Sequence, residues 1–131
     1  MASTTPQSSG FTIIEQSRQG VPSKQVDQLA QLLNLSFKEL ATILQIAERT
    51  LYRFRRVGRL NFQASERLLL LDNLVAHGLL VFDDRADALA NWLRCPLREL
   101  RGQTPLQLLT TITGFELVDD VMTRIEYGVY A

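Results

Sequence analysis

The chain has 131 residues but only one cysteine, one histidine and one tryptophan, and its formal net charge is zero. A single cysteine, Cys95, excludes an internal disulfide. A single histidine, His77, leaves no metal-ligand cluster and no Cys/His catalytic pair. Both residues are therefore read as packing residues. There is no glycine-rich phosphate loop and no nucleophile set beside a base, so the chain is not expected to be an enzyme and no cofactor or metal is implied. No apolar run approaches the roughly 20 residues that cross a bilayer. The opening stretch Ala2-Ser3-Thr4-Thr5-Pro6-Gln7-Ser8-Ser9-Gly10 has neither the basic nor the apolar part of a secretion signal, so the expected compartment is the cytoplasm.

What is present is an ordinary globular composition, 46% hydrophobic and 21% charged, enough for one core or two small fused ones. The zero net charge hides an asymmetry. Residues 1–65 carry eight basic and four acidic side chains, whereas residues 66–131 carry six and ten. A basic front half suits a polyanion, and an acidic back half suits some other partner.

The front half contains the most informative stretch, from Ser36 to Phe54. Ser36 followed by Glu39 is a capping box, so a helix starts there. Leu40 and Leu44 lie one turn apart on its inner face, Ala41 lets a second helix cross closely, and Ile46 plugs the corner. Leu51 and Phe54 supply the second helix's share of the core. At about 100° per residue, Arg49, Arg53 and Arg56 fall on the side opposite Leu51 and Phe54. This is a helix-turn-helix pattern with a basic outer face. The expected DNA contacts are Arg49, Thr50, Tyr52, Arg53 and Arg56, since arginine pairs with phosphates and forks onto guanine edges. The same arginines can also be read as a plain solvated face. Two positions depart from the usual pattern: Gln45 stands where such corners favour glycine, and Ala47 where a capping Ser or Thr is expected.

Around this motif the reading is helical. Residues 1–19 are expected to be a flexible arm in which Phe11, Ile13 and Ile14 form a short extended or helical piece. Ser23 is expected to cap a helix carrying Val26, Leu29, Ala30 and Leu33, and Gly58 to stop the basic helix. Asn61 caps a long helix with Leu68, Leu71, Val75 and Leu79 in register. Its four-leucine run can equally be a strand, but Ala64, Glu66, Arg67 and Ala76 favour helix. Gly78 is expected to bend it. So much apolar surface suggests a dimer seam at Leu68, Leu71, Leu74 and Val75.

Asp83 or Asp84 is expected to cap the next helix, Arg85 to Leu93, and Pro96 to end it. Thr104-Pro105-Leu106-Gln107 opens a short helix, and Gly114 is expected to separate it from a last helix with Phe115, Val118, Met122 and Ile125 in register. Gly128 closes that helix. The final residues are unusually apolar for a terminus, and either dock on their own core or insert into a partner's cleft.

In order along the chain, Val81-Phe82, Ala88-Leu89, Trp92-Leu93, Pro96, Leu100, Gly102, Thr104-Pro105-Leu106, Leu108-Leu109, Gly114, Arg124-Ile125 and Tyr127-Gly128-Val129-Tyr130 resemble the toxin-binding domain of the Xre/MbcA/ParS antitoxins. Gly20-Val21-Pro22, Leu35-Ser36, Thr50-Leu51-Tyr52-Arg53 and Gly58-Arg59-Leu60 resemble the Xre-like half of the same proteins. Two residues depart from the family pattern: Leu97 stands where asparagine is usual, and Arg101 where the first of two glycines is usual.

The resemblance implies an all-α fold, an N-terminal Xre-like helix-turn-helix bundle (20–60) followed by a small helical dimerisation and toxin-binding domain (61–131). It implies a homodimeric antitoxin of a type II pair that binds promoter DNA. Its toxin partner would be a RES-domain protein that destroys NAD⁺, held off by steric obstruction. Under that reading the toxin-facing residues are Arg101, Arg124, Tyr127, Gly128, Val129 and Tyr130. The competing expectation is a stand-alone transcription regulator whose back half dimerises or senses a ligand.

Overall fold

A computed structural model describes residues 7–128, and α-helices with no strand make up the regular structure of those residues. The helices are α1 (Gly10–Gln19), α2 (Lys24–Leu33), α3 (Phe37–Leu44), α4 (Glu48–Val57), α5 (Phe62–Val81), α6 (Ala86–Leu93), α7 (Pro105–Leu108) and α8 (Ile112–Glu126). A 3-10 turn, Arg98–Leu100, lies between α6 and α7.

The long α5 starts where Asn61 Oδ1 accepts from the amide of Ala64 at 2.9 Å. α5 touches both halves of the chain, meeting α1 and α3 from the front half and α6 and α8 from the back. The leucine stripe is wide because it serves both neighbourhoods: Ala64, Leu68, Leu69, Leu71, Leu74 and Val75 are all buried in one continuous core. This corrects the expected dimer seam. Leu68, Leu71, Leu74 and Val75 are covered inside the subunit by its own helices, so they present almost no surface to a second copy. The 20-residue helix is not apolar enough to cross a membrane, nor is any other among the described residues.

Within the expected flexible arm, residues 10–19 form helix α1. Ser9 Oγ caps α1 by accepting from Thr12, Ile13 and Ser17 are buried, and the Asn73 side chain holds both the amide and the carbonyl of Ser8. In the front bundle the Ser36–Glu39 capping box is complete, with bonds of 2.9 and 3.0 Å. Gln45 adopts the left-handed conformation (φ 59°) that the motif demands, and its own side-chain amide donates to the Thr42 carbonyl at 2.7 Å. The loops flanking α2–α4 are laced together by bonds from Ser23 N to Gly58 O and from Leu60 N to Val21 O. Ser23 itself makes no side-chain cap; a tight turn at Pro22 starts α2 instead.

Two expectations in the back half also change. Asp83 and Asp84 do not cap α6. Both take left-handed backbone angles in the turn that ends α5, a conformation their short polar side chains tolerate, and Arg85 enters α6 without a side-chain cap. Gly78 lets α6 come close, because a Cβ there would lie 2.6 Å from Leu89 Cδ1. Gly114 lies inside α8, not before it. Thr111 Oγ1 caps that helix by accepting from the Gly114 amide at 2.9 Å, and a Cβ on Gly114 would sit 1.7 Å from the Leu108 carbonyl oxygen.

In an ordinary exposed helix, glycine to alanine stabilises by up to about 1 kcal/mol. Here the sign reverses: Gly114→Ala is expected to destabilise by about 1–3 kcal/mol as α7 and α8 are forced apart. Chemical denaturation measures it; an unchanged or raised midpoint would mean that this contact is not tight.

Candidate nucleic-acid and partner interfaces

α4 has two faces. Leu51 and Phe54 are buried, and Arg49, Arg53 and Arg56 are exposed on the opposite side. Among the described residues none of these three arginines has a carboxylate within ion-pair distance. The other two arginines of the run are engaged. Arg55 pairs with Asp27 at 3.4 Å and lies over the Phe37 ring, and the Arg59 guanidinium donates to the Gly20 carbonyl. Tyr52 is half-exposed beside the arginine face and rests against Phe37, ring centroids 4.8 Å apart, while Thr50 is half-buried. Ala47 provides no side-chain cap, so the first-turn amides of α4 lack a side-chain partner there.

The second region is at the far end of the chain. Arg124, Tyr127 and Gly128 are exposed on and after the last turn of α8, Tyr127 by 73%. A groove of about 200 Å³, lined by Trp92, Leu97, Glu99, Val121 and Ile125, puts the loop after α6 on the same side as this end. Arg101 is exposed at the tip of that loop and takes a left-handed backbone (φ 58°) directly before Gly102. An arginine therefore holds a conformation that glycine adopts at no steric cost, with its side chain directed to the surface. Val129 and Tyr130, also expected to face the partner, lie outside the described residues.

Two side chains that the sequence did not single out as site residues make long-range polar contacts. Arg94, just after α6, forks onto Glu39 with bonds of 2.8 and 2.9 Å and also donates to the Asn34 carbonyl. The Arg94 hydrogen bond holds the Glu39 carboxyl well below its ordinary range, at about 2, against the opposing effect of burial. The same carboxylate completes the α3 capping box, so the start of the helix-turn-helix is fastened to the back half. Beside this pair an open cleft of about 420 Å³, lined by Lys38, Thr42, Ile43, Thr104 and Leu106, separates α3 from α7.

His77 is the second. It is buried in α5, but its ring reaches Asp119 at 2.6 Å and Glu126 at 2.8 Å, which is more than packing. The signal was present in the sequence as two acids seven residues apart, on one face of α8. Cys95, expected to pack, is exposed.

Residues 77–128 match the model described as the antitoxin Xre/MbcA/ParS C-terminal toxin-binding domain, and residues 12–71 match the antitoxin Xre-like helix-turn-helix domain. The chain belongs to the Xre/MbcA/ParS antitoxin family. Among its relatives is a protein named antitoxin Xre from Yersinia enterocolitica, 25% identical over 127 residues, covering 96% of this chain and 86% of that one. Another antitoxin Xre, from Photorhabdus laumondii, is 29% identical over 126 residues, covering 95% and 84%. In this antitoxin the helix-turn-helix match runs from α1 into α5 and includes α3 and α4, and the toxin-binding match runs from the end of α5 through α8.

The Arg94–Glu39 link has a pH signature. Because the Glu39 pKa is depressed on folding, its contribution is present above about 4.5 and fades as pH falls toward about 2. Arg94→Ala is expected to lower stability at pH 7 by no more than about 1 kcal/mol, the pair being partly exposed. The difference from the parent should shrink on acidification. Melting curves that stay parallel from pH 7 to pH 3 would contradict it.

Proposed function

We propose that this antitoxin neutralises a RES-domain, NAD⁺-degrading toxin by steric obstruction and represses its own promoter through the helix-turn-helix. It acts without catalysis. The observation that carries this reading is the presence in one chain of two uncommitted surfaces, the arginine face of α4 and the exposed aromatic end of α8.

On the DNA side, Arg49, near the start of α4, reaches base edges or phosphates in the major groove, with Arg53 and Arg56 extending the phosphate contacts and Tyr52 and Thr50 flanking them. On the toxin side, Arg101, Arg124, Tyr127 and Gly128, continued by Val129 and Tyr130, cover the entrance to the toxin's NAD⁺ pocket. Operators read by helix-turn-helix proteins are commonly two-fold symmetric, which favours a homodimer in the complex. With the α5 leucines covered internally, that dimer draws on other apolar surface. Phe11 and Ile14, one turn apart on the outer face of α1, remain exposed.

Two experiments separate the two activities. Arg49→Ala and Arg53→Ala are each expected to cost about 1–3 kcal/mol of operator affinity at moderate salt and to leave toxin binding intact; unchanged operator affinity would remove these residues from the interface. A chain ending at Glu126, co-expressed with the neighbouring toxin, is expected to fail to restore growth and NAD⁺. Full rescue by that chain would exclude the blocking terminus.

A further inference from the structure

The imidazole of His77 is buried between α5 and α8 with a carboxylate on each nitrogen, Asp119 at 2.6 Å on Nδ1 and Glu126 at 2.8 Å on Nε2. An ionised carboxylate only accepts hydrogen bonds, so both contacts are satisfied together when the ring carries a proton on each nitrogen. The two acids stand two turns apart on α8. Asp119 is in mid-helix, where Thr123 Oγ1 bonds its carbonyl, and Glu126 is the final helical residue, directly before exposed Tyr127.

We propose that His77 is a positioning residue for the toxin-facing end: as an imidazolium it clips the last turn of α8 onto α5, and the grip on Glu126 is released as pH rises. This rests on the toxin-facing reading of that end. Deprotonation leaves one carboxylate facing a ring lone pair. Of the two acids Glu126 is the one able to swing away, since the helix ends with it, and Tyr127 moves with it.

The surroundings leave this charge set to itself. α8 presents Asp119 and Glu126 to the ring, and the α6 side chain at this level of α5 is apolar Leu89, packed at Gly78. Just before α1, Ser8 meets α5 at Asn73, one turn ahead of His77; α5's own half-buried Asp72 precedes that contact by one residue, and Glu116 of α8 shares a groove with Asn73 and Asp119. Among the described residues no lysine or arginine pairs with Asp119 or Glu126. Burial works against charge on His77, but the hydrogen bonds and charges of Asp119 and Glu126 outweigh it and raise its pKa above the ordinary 6.5. The clip therefore holds on the acid side of the raised value and opens as pH climbs through it.

Because His77 is the chain's only histidine, its ring resonances report the clip without ambiguity. NMR titration of the full chain should show a midpoint above 6.5, with the amides of Arg124 to Gly128 shifting at the same midpoint. A midpoint at or below 6.5, or terminal amides that ignore the transition, would overturn the proposal. Calorimetry with the toxin should show affinity falling roughly tenfold across that midpoint, the weight of one charge-assisted hydrogen bond, and should show a flat profile for His77→Gln.

Glu126→Gln, which leaves the buried ring and the Asp119 bond in place, guards against misfolding of the histidine variant. It is expected to lower the His77 midpoint and flatten the affinity profile; a parental midpoint and profile in this variant would also overturn the clip. If the parent chain binds no toxin at any pH, the function proposed above fails, while the NMR midpoint still decides whether the clip exists.

Discussion

The burial of α5 on two sides is the constraint on which the rest of this antitoxin depends. A helix 20 residues long with one apolar stripe would serve one domain. This one has apolar side chains around enough of its circumference to pack against α1 and α3 from one half of the chain and α6 and α8 from the other. The helix-turn-helix and toxin-binding domains are consequently not beads on a linker. They share a core, and Arg94 adds a polar tie from the end of α6 to the cap of α3. The arginine face of α4 and the end of α8 are thus carried on one framework, whose core is set by leucine packing and whose details are set by a few charged contacts.

Much of this was legible in the sequence because it is local. Capping boxes at Ser36–Glu39 and Thr104–Gln107, the cap at Asn61 and the left-handed stop at Gly58 depend on neighbours within one turn, and each is present. The basic face of α4 was readable for the same reason, since helix periodicity alone sends Arg49, Arg53 and Arg56 away from Leu51 and Phe54. What misled was whatever depended on distant partners. Leucines that look surplus for one domain are not surplus once α5 is seen to serve two. The segment before Gly20 looks like a loose arm until Asn73, more than sixty residues away, holds its start. Asp83 and Asp84 have the chemistry of caps, yet the tight reversal after α5 uses their tolerance of positive φ instead.

The candidate sites divide along the same line. The sequence counted five arginines between Arg49 and Arg59, and the fold takes two of them for its own contacts: Arg55 on Asp27 and Phe37, Arg59 on Gly20. Arg53 also lies over the Phe54 ring, and Arg49, Arg53 and Arg56 have no carboxylate partner among the described residues. His77 was set aside as packing because one histidine makes no metal site, and that reasoning did not test whether acids on a later helix would meet it. Arg101 shows the reverse case, a departure from the family's glycine that the backbone accepts by holding a non-glycine residue in a left-handed turn.

Hydrogen–deuterium exchange on the full chain, alone, with operator duplex and with toxin, bears most directly on whether one framework carries two separate surfaces. Duplex should slow exchange in α4 and at the start of α3, and toxin should slow it around Arg101 and from the last turns of α8 to the terminus, with little overlap between the two footprints. A toxin footprint centred on α4, or a duplex that protects the end of α8 in place of α4, would contradict the division.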